Sequence, residues 1–285
     1  MNGRMASSVA SEWAKQDPAA ALAWAKGLPD DMRGEAMERA ITEMTSSDTQ
    51  SAINFVMAMD AGEDRTRMID ELSTQYGRMD PNAALDWAQS LTGDDQSVAQ
   101  REILQSWSRS DPTQAAAYVD AMNAETRAAN LRAVADSWSW NDATAAADWV
   151  HSQPQSEQKS EATREVVQNW MRTDSVAASE WVSALPAGES RDSGIVAMVS
   201  SREMRAEPDA RAMWAGEISN PDTRAKQVTD AAPAWLATDY DSASTWVKSV
   251  DIPQESRDAL LSLTPEQLKS SGGGGGGDGR GRRPF

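Results

Sequence analysis

The sequence predicts an all-α solenoid, an αα-superhelix of about eight helix-pair repeats of 31–33 residues each. Three observations predict it. An acidic residue recurs at Asp17, Asp48, Asp80, Asp111, Asp142, Asp174, Glu207 and Asp239, at nearly constant spacing. Seven residues after each of these anchors stands an aromatic: Trp24, Phe55, Trp87, Tyr118, Trp149, Trp181, Trp214 and Trp246. Helix formers dominate between them, and no Val/Ile alternation of period two marks a strand. A fixed period in this range is the mark of stacked supersecondary units, each packed mainly on its neighbours.

Each unit reads as a short helix A followed by a longer helix B. The anchor is an N-cap, its carboxylate accepting from the free N–H groups of the first turn. Pro18, Pro81, Pro112 and Pro208 follow their anchors at N1, where the missing N–H is no loss. Position +4 is small in seven copies (Ala21, Ala52, Ala84, Ala115, Ala146, Ala178 and Ala243) and Arg211 in the other. It shares a face with the +7 aromatic three residues on. Helix A is expected to end near +11, at Leu28, Met59, Leu91, Met122, Leu185, Ile218 or Val250, a length of about 11 residues.

A polar turn leads into helix B, which runs to a large apolar residue four before the next anchor. This −4 row is Trp13, Met44, Tyr76, Trp107, Trp138, Trp170, Glu203 and Trp235. The two aromatic rows absorb 11 of the 12 Trp, so Trp13, Trp24, Phe55, Tyr76, Trp87, Trp107, Tyr118, Trp138, Trp149, Trp170, Trp181, Trp214, Trp235 and Trp246 are expected to be structural, packing between units. Eleven residues before the −4 position stands Arg33, Arg65, Arg127, Lys159, Arg224 or Arg257, with Gln96 in the odd copy. A cation near a helix start opposes the macrodipole. Its recurrence points either to an acidic group on an adjacent helix or to simple inheritance by duplication.

The ends and one interior copy depart from the pattern. The first helix B, from about Asn2 to Trp13, has no helix A before it, so the chain opens halfway through a unit. Either an orphan helix caps the array or the start is truncated. Arg257 places a final −4 residue at Leu268, which completes an eighth helix B and an array over residues 1–269. Residues 270–285, with six consecutive glycines and Arg280, Arg282 and Arg283, read as a disordered tail. In the seventh copy Glu207, Arg211 and Glu203 replace the usual residues. Met204 can take the −4 role with a slip of one, which marks a bend or a drifted unit.

At its Trp, Asp-Pro, Ala-Ala, Trp and Leu-Pro positions the chain resembles tetratricopeptide-like helical repeats, and is similar to the Trp- and Asp-Pro-rich repeats of bacterial proteins of that type. The resemblance covers roughly residues 2–268. Its 31–33-residue period is shorter than the tetratricopeptide one, and Ala-Lys-Gln follows Trp13 where a Leu-Gly pair would be sought, which keeps a HEAT-like array open. The resemblance implies a right-handed superhelix whose groove, lined by helix A, binds a partner.

Composition narrows the chemistry. A formal charge of −17 argues against nucleic acid and anionic membranes and favours a protein or peptide partner of cationic character. There is no Cys and a single His, His151, which removes thiolate and multi-histidine metal sites and most triad chemistry. Phosphate loops, EF-hand spacing and nucleophile elbows are missing from the sequence. No cofactor is therefore expected, and no enzymatic activity. The first residues lack the apolar run of a signal peptide, and no stretch is apolar enough to span a bilayer. The compartment stays open between cytoplasm and cell envelope.

The expected function is a non-enzymatic interaction scaffold. Late exposed positions of helix A, at +9, are the partner-binding candidates: Lys26, Gln89, Asp120, His151, Ser183 and Lys248. Trp140, two residues after Trp138 and on another face, joins them. Two other readings are an accessory region of a larger envelope protein or enzyme, and glycan binding through exposed Trp.

Overall fold

A computed structural model of the chain describes residues 3–272. Among them are 19 helices and no strand. The leading helix is α1 (Gly3–Ala14). Short helices A then alternate with long helices B: α2 (Pro18–Lys26) and α3 (Asp30–Ser47), α4 (Thr49–Met57) and α5 (Glu63–Met79), α6 (Pro81–Gln89) and α7 (Gly93–Ser110), α8 (Pro112–Asp120) and α9 (Ala124–Ser139). The chain divides into two compact units, Met1–Asp142 and Ala143–Phe285. The second continues with α10 (Ala143–Ser152), α11 (Glu157–Thr173), α12 (Ser175–Ala184), α13 (Glu189–Ser200), α14 (Arg202–Arg205), α15 (Pro208–Gly216), α16 (Pro221–Thr238), α17 (Tyr240–Ser249), α18 (Gln254–Leu261) and α19 (Pro265–Gly272). In the first unit each helix B packs on the next, α1 on α3, α3 on α5, α5 on α7 and α7 on α9. In the second, α11 packs on α13, and α15 and α19 on α16. No helix among the described residues is long and apolar enough to cross a membrane.

One residue makes each corner from helix B to helix A. The Asp17 carboxylate accepts from the Ala20 N–H at 3.0 Å. Asp48, Asp80, Asp111, Asp174 and Asp239 cap their helices through the same N3 position. The anchor's own N–H donates back to the −4 carbonyl, as from Asp111 to Trp107 at 2.8 Å. The anchor thus closes one helix and opens the next, which is why a short acidic residue recurs there. Helix A is 9 or 10 residues long rather than 11, because its last turn tightens. The Leu28 and Met59 N–H groups donate to carbonyls only three residues back, at 3.1 Å.

The core is aliphatic and small. Position +8, which sequence reading passed over, is Ala or Val in every copy and wholly buried from Ala25 to Val247. The six Ala at +4 in the regular copies up to Ala178, and Ala243, are equally buried. Ala40, Leu72, Ile103, Val134, Val166 and Ala231 of the helices B are likewise without exposure.

The aromatic rows therefore do not form the centre of the packing. Trp87, Trp107, Trp149 and Trp170 are buried, at 6–9% exposure. Most of the others are half-buried, and Trp13 is 38% exposed. The physical reason is the one-residue corner. Both aromatic positions adjoin the corner between two helices, while Ala and Val at +4 and +8 are buried together with larger aliphatics such as Leu22, Met37, Leu72 and Ile103. In five copies the rings meet each other at a tilt, as Trp13 with Trp24 at 6.0 Å and Trp235 with Trp246 at 5.6 Å between centroids.

Two helices B break. In the seventh copy α13 stops at Ser200 and α14 adds one turn. The Glu207 N–H returns to the Met204 carbonyl at 3.1 Å, three residues back, so Met204 holds the −4 role with the slip of one. Glu207 makes no side-chain cap. Arg211 compensates for the break: its Nε donates to the freed Val199 carbonyl at 2.7 Å and its Nη2 pairs with Asp230. The final helix B is not continuous, as expected from Arg257 and Leu268, but splits into α18 and α19 at Pro265. Pro has no N–H to carry the ladder onward, and Leu268 is nevertheless buried. Helix α19 is described as far as Gly272. The remainder of the expected disordered tail lies outside the described residues.

Candidate functional site

The recurring cation is a C-terminal cap for the preceding helix A. Arg65 donates to the Met59 carbonyl at 3.2 Å, Arg127 to Met122 at 3.1 Å, Arg224 to Ile218 at 2.8 Å and Arg257 to Val250 at 2.9 Å. Gln96, in the odd copy, reaches the Gln89 carbonyl at 3.4 Å. The carbonyl end of a helix is the favourable end for a cation, so the charge that looked misplaced on helix B serves helix A. The expected acidic partner is present as well: Arg33 pairs with Asp64 at 3.0 Å and Arg65 with Asp95 at 2.9 Å, each from one helix B to the next.

The +9 candidates Lys26, Gln89, Asp120, His151, Ser183 and Lys248 are all exposed. Within each unit some of them touch the next copy's +7 aromatic. Gln89 Nε2 donates to the Tyr118 hydroxyl at 3.3 Å. The His151 ring meets Trp181 edge-on, 6.3 Å between centroids, while the Trp181 indole N–H donates to Asp148 at 3.1 Å. In the seventh copy the position is Gly216, where an added Cβ would stand 3.0 Å from the Trp246 ring. Trp140, at the C-terminal end of α9, is 51% exposed.

Open grooves lie elsewhere, between successive helices B. One of about 600 Å³ runs between α5 and α7, lined by Glu63, Arg67, Asp70, Arg101 and Glu102 with Thr66 and Val98. A second, about 550 Å³, lies over α11, α13 and α16, with Glu157, Arg164, Glu189 and Asp192. A third, about 500 Å³, lies between α1 and α3, with Arg4, Glu35 and Arg39. Sequence reading missed them because their charges sit on the outer face of helix B, where Arg, Asp and Glu pass for solubilising residues. Loss of solvent raises the Asp70 carboxyl above its usual range, and Glu102 adds to the effect. Glu38 is raised by the same loss, against the pull of Arg67. Among the described residues no three His, Asp or Glu side chains gather as metal ligands.

No protein-family model, curated protein or solved structure matches the chain.

Proposed function

We propose that the chain is a helical-repeat scaffold without catalytic activity, an αα-superhelix that seats a protein or peptide segment of cationic character. The grooves between helices B carry this reading. The α5–α7 groove presents Glu63, Asp70 and Glu102 beside an apolar Val98, with Arg67 and Arg101 also on its walls and Arg101 paired to Glu102 at 2.9 Å, so a Lys or Arg side chain would lay its methylenes on Val98 and meet Glu63 and Asp70. The overall charge of −17 supports the same sign of partner. The grooves between helices B thus stand beside the +9 row of helix A as candidate partner surfaces.

The test is capture of partners by the full chain in low salt and at about 0.5 M, where screening removes exposed pairs. Capture that fades with salt and is lost on D70K/E102K is expected. Capture indifferent to both would sink the reading. Glycan stacking is a second reading, favoured by the half-open Trp140. A cell-wall oligosaccharide should then change the Trp fluorescence of the chain but not of Trp140→Ala.

A further inference from the structure

The cation row provides an internal comparison among the repeats: Arg127 and Arg257 also cap helix carbonyls without an ion pair among the described residues, but the copy built on α10 and α11 differs in that its cation is a Lys and is buried. Its cation is Lys159, only 7% exposed. The ammonium donates to the His151 carbonyl at 2.7 Å and the Gln153 carbonyl at 2.8 Å. Two of its three N–H groups are so used, and among the described residues no ion pair neutralises it. Arg33 and Arg65 find their carboxylates 31 and 30 residues along the chain, at Asp64 and Asp95. The residue in that register from Lys159 is Glu189, and its carboxylate accepts instead from Gln155 Nε2 at 3.3 Å. Burial accordingly depresses the ammonium with no carboxylate to offset it.

A cavity of about 90 Å³ occupies this gap, lined by His151, Gln155, Lys159, Gly188, Glu189 and Ser190. That is room for several non-hydrogen atoms, since one water needs only about 10–15 Å³. One wall is the start of α13. Its N-cap is Gly188, with φ 146°, which supplies no side chain to the first-turn N–H groups and leaves the positive end of the helix uncapped. His151 and Gln155 are exposed and stand at the mouth.

We propose that this cavity is a carboxylate-binding site, in which a ligand carboxylate takes the place against Lys159 that Asp64 and Asp95 hold against their arginines. The donors it would meet are the third Lys159 N–H and the first-turn N–H groups of α13, which no side chain caps; the Ser190 hydroxyl, which donates to the Gln155 Oε1 at 3.2 Å, would have to turn from it. A buried ammonium gains most from an anion that also accepts hydrogen bonds. Glu189 also lines the cavity, and its charge selects a monoanion over a doubly charged phosphate. The inference does not depend on the groove reading, because a small free acid would occupy the cavity without any protein partner.

His151 is the single histidine, so its imidazole resonances report on the mouth of the cavity without overlap. The full chain is titrated at constant ionic strength with sodium acetate, with N-acetyl-trialanine and with the amide of that peptide, using chloride as the reference salt. A saturable shift of the His151 resonances with acetate is expected. The peptide acid binding more tightly than acetate assigns the site to a chain terminus, and equal binding assigns it to a small acid; the amide is inert in either case. Lys159→Met should abolish the shift. Glu189→Gln, a change on an exposed first turn, should tighten binding several-fold, a gain that a merely structural Lys159 would not produce. A response to acetate no different from that to chloride, or one unaltered in both variants, overturns the proposal.

Discussion

Asp48 and Asp239 each close a helix B and open a helix A, and their carboxyls show how tightly the corner holds them. Both lie below the usual carboxylate range, first because the Ser51 or Ser242 side chain donates to the carboxylate and then because the same residue's backbone N–H does. A carboxyl depressed on folding contributes stability that is present above its unfolded value and disappears as pH falls through its folded value. Glu38 and Asp70 act in the opposite sense, since a raised carboxyl costs stability as pH climbs through the window between its unfolded and folded values. Thermal melts of the chain and of S51A/S242A across the acid range should show a shallower acid loss in the variant; parallel curves would contradict the cap assignment.

A second residue-level test follows from the +7 row. The Trp181 indole N–H reaches Asp148 at +6 of the previous copy, whereas the Trp87 N–H is buried without an acceptor. The matching residue is Asn54, whose side-chain oxygen is taken by Gln50. Asn54→Asp should stabilise the chain by about 0.5–1.5 kcal/mol in denaturant titrations. Position also separates chemically identical residues. Trp149→Ala should cost about 3–5 kcal/mol as a large-to-small change in a buried site. Trp13→Ala, at an exposed ring, should cost about 1–2 kcal/mol, and equal losses would mean that the rim aromatics do not differ in burial.

At the scale of the element, the caps were legible in sequence and the cation row only half so. An Asp recurring at the head of a helix-forming segment has one local reading, and six anchors bear it out, three of them with Pro at N1. The basic residue eleven before each −4 position had no local reading, because the carbonyls it caps belong to the helix before it. Arg65→Met removes both the Met59 carbonyl's donor and the Asp95 pair, and should destabilise by about 1–3 kcal/mol. A loss close to zero would return the row to inheritance by duplication. The departures of the seventh copy were visible as Glu203, Glu207 and Arg211, yet not their consequence. Arg211 at +4 is too large for the helix contact and becomes the plug of a broken helix B, bonded to Val199.

At the scale of the molecule, the two compact units part at the fifth anchor, after Asp142. Repeat arrays derive stability from each unit and its neighbours, so a block of intact copies folds without the rest. Residues 1–142 and 143–285, expressed separately, should each be helical and unfold cooperatively by circular dichroism. A fragment that stays unfolded would show that the unit boundary is not a folding boundary.

The sequence by itself determined the period, the helix pairs, the caps and the acidic character, because each is a local or strictly repeating property of the chain. It also placed Met204 in the role of the missing aromatic. Tertiary structure alone decided which rows form the core. Identical spacing is compatible with an aromatic centre or an aromatic rim, and only the packing distinguishes them: Ala and Val at +4 and +8 lose all exposure, whereas most of the ring positions keep some. The same holds for the grooves and the Lys159 cavity. Whether a buried cation finds its carboxylate depends on where the next copy's side chain turns, and Glu189 turns to Gln155.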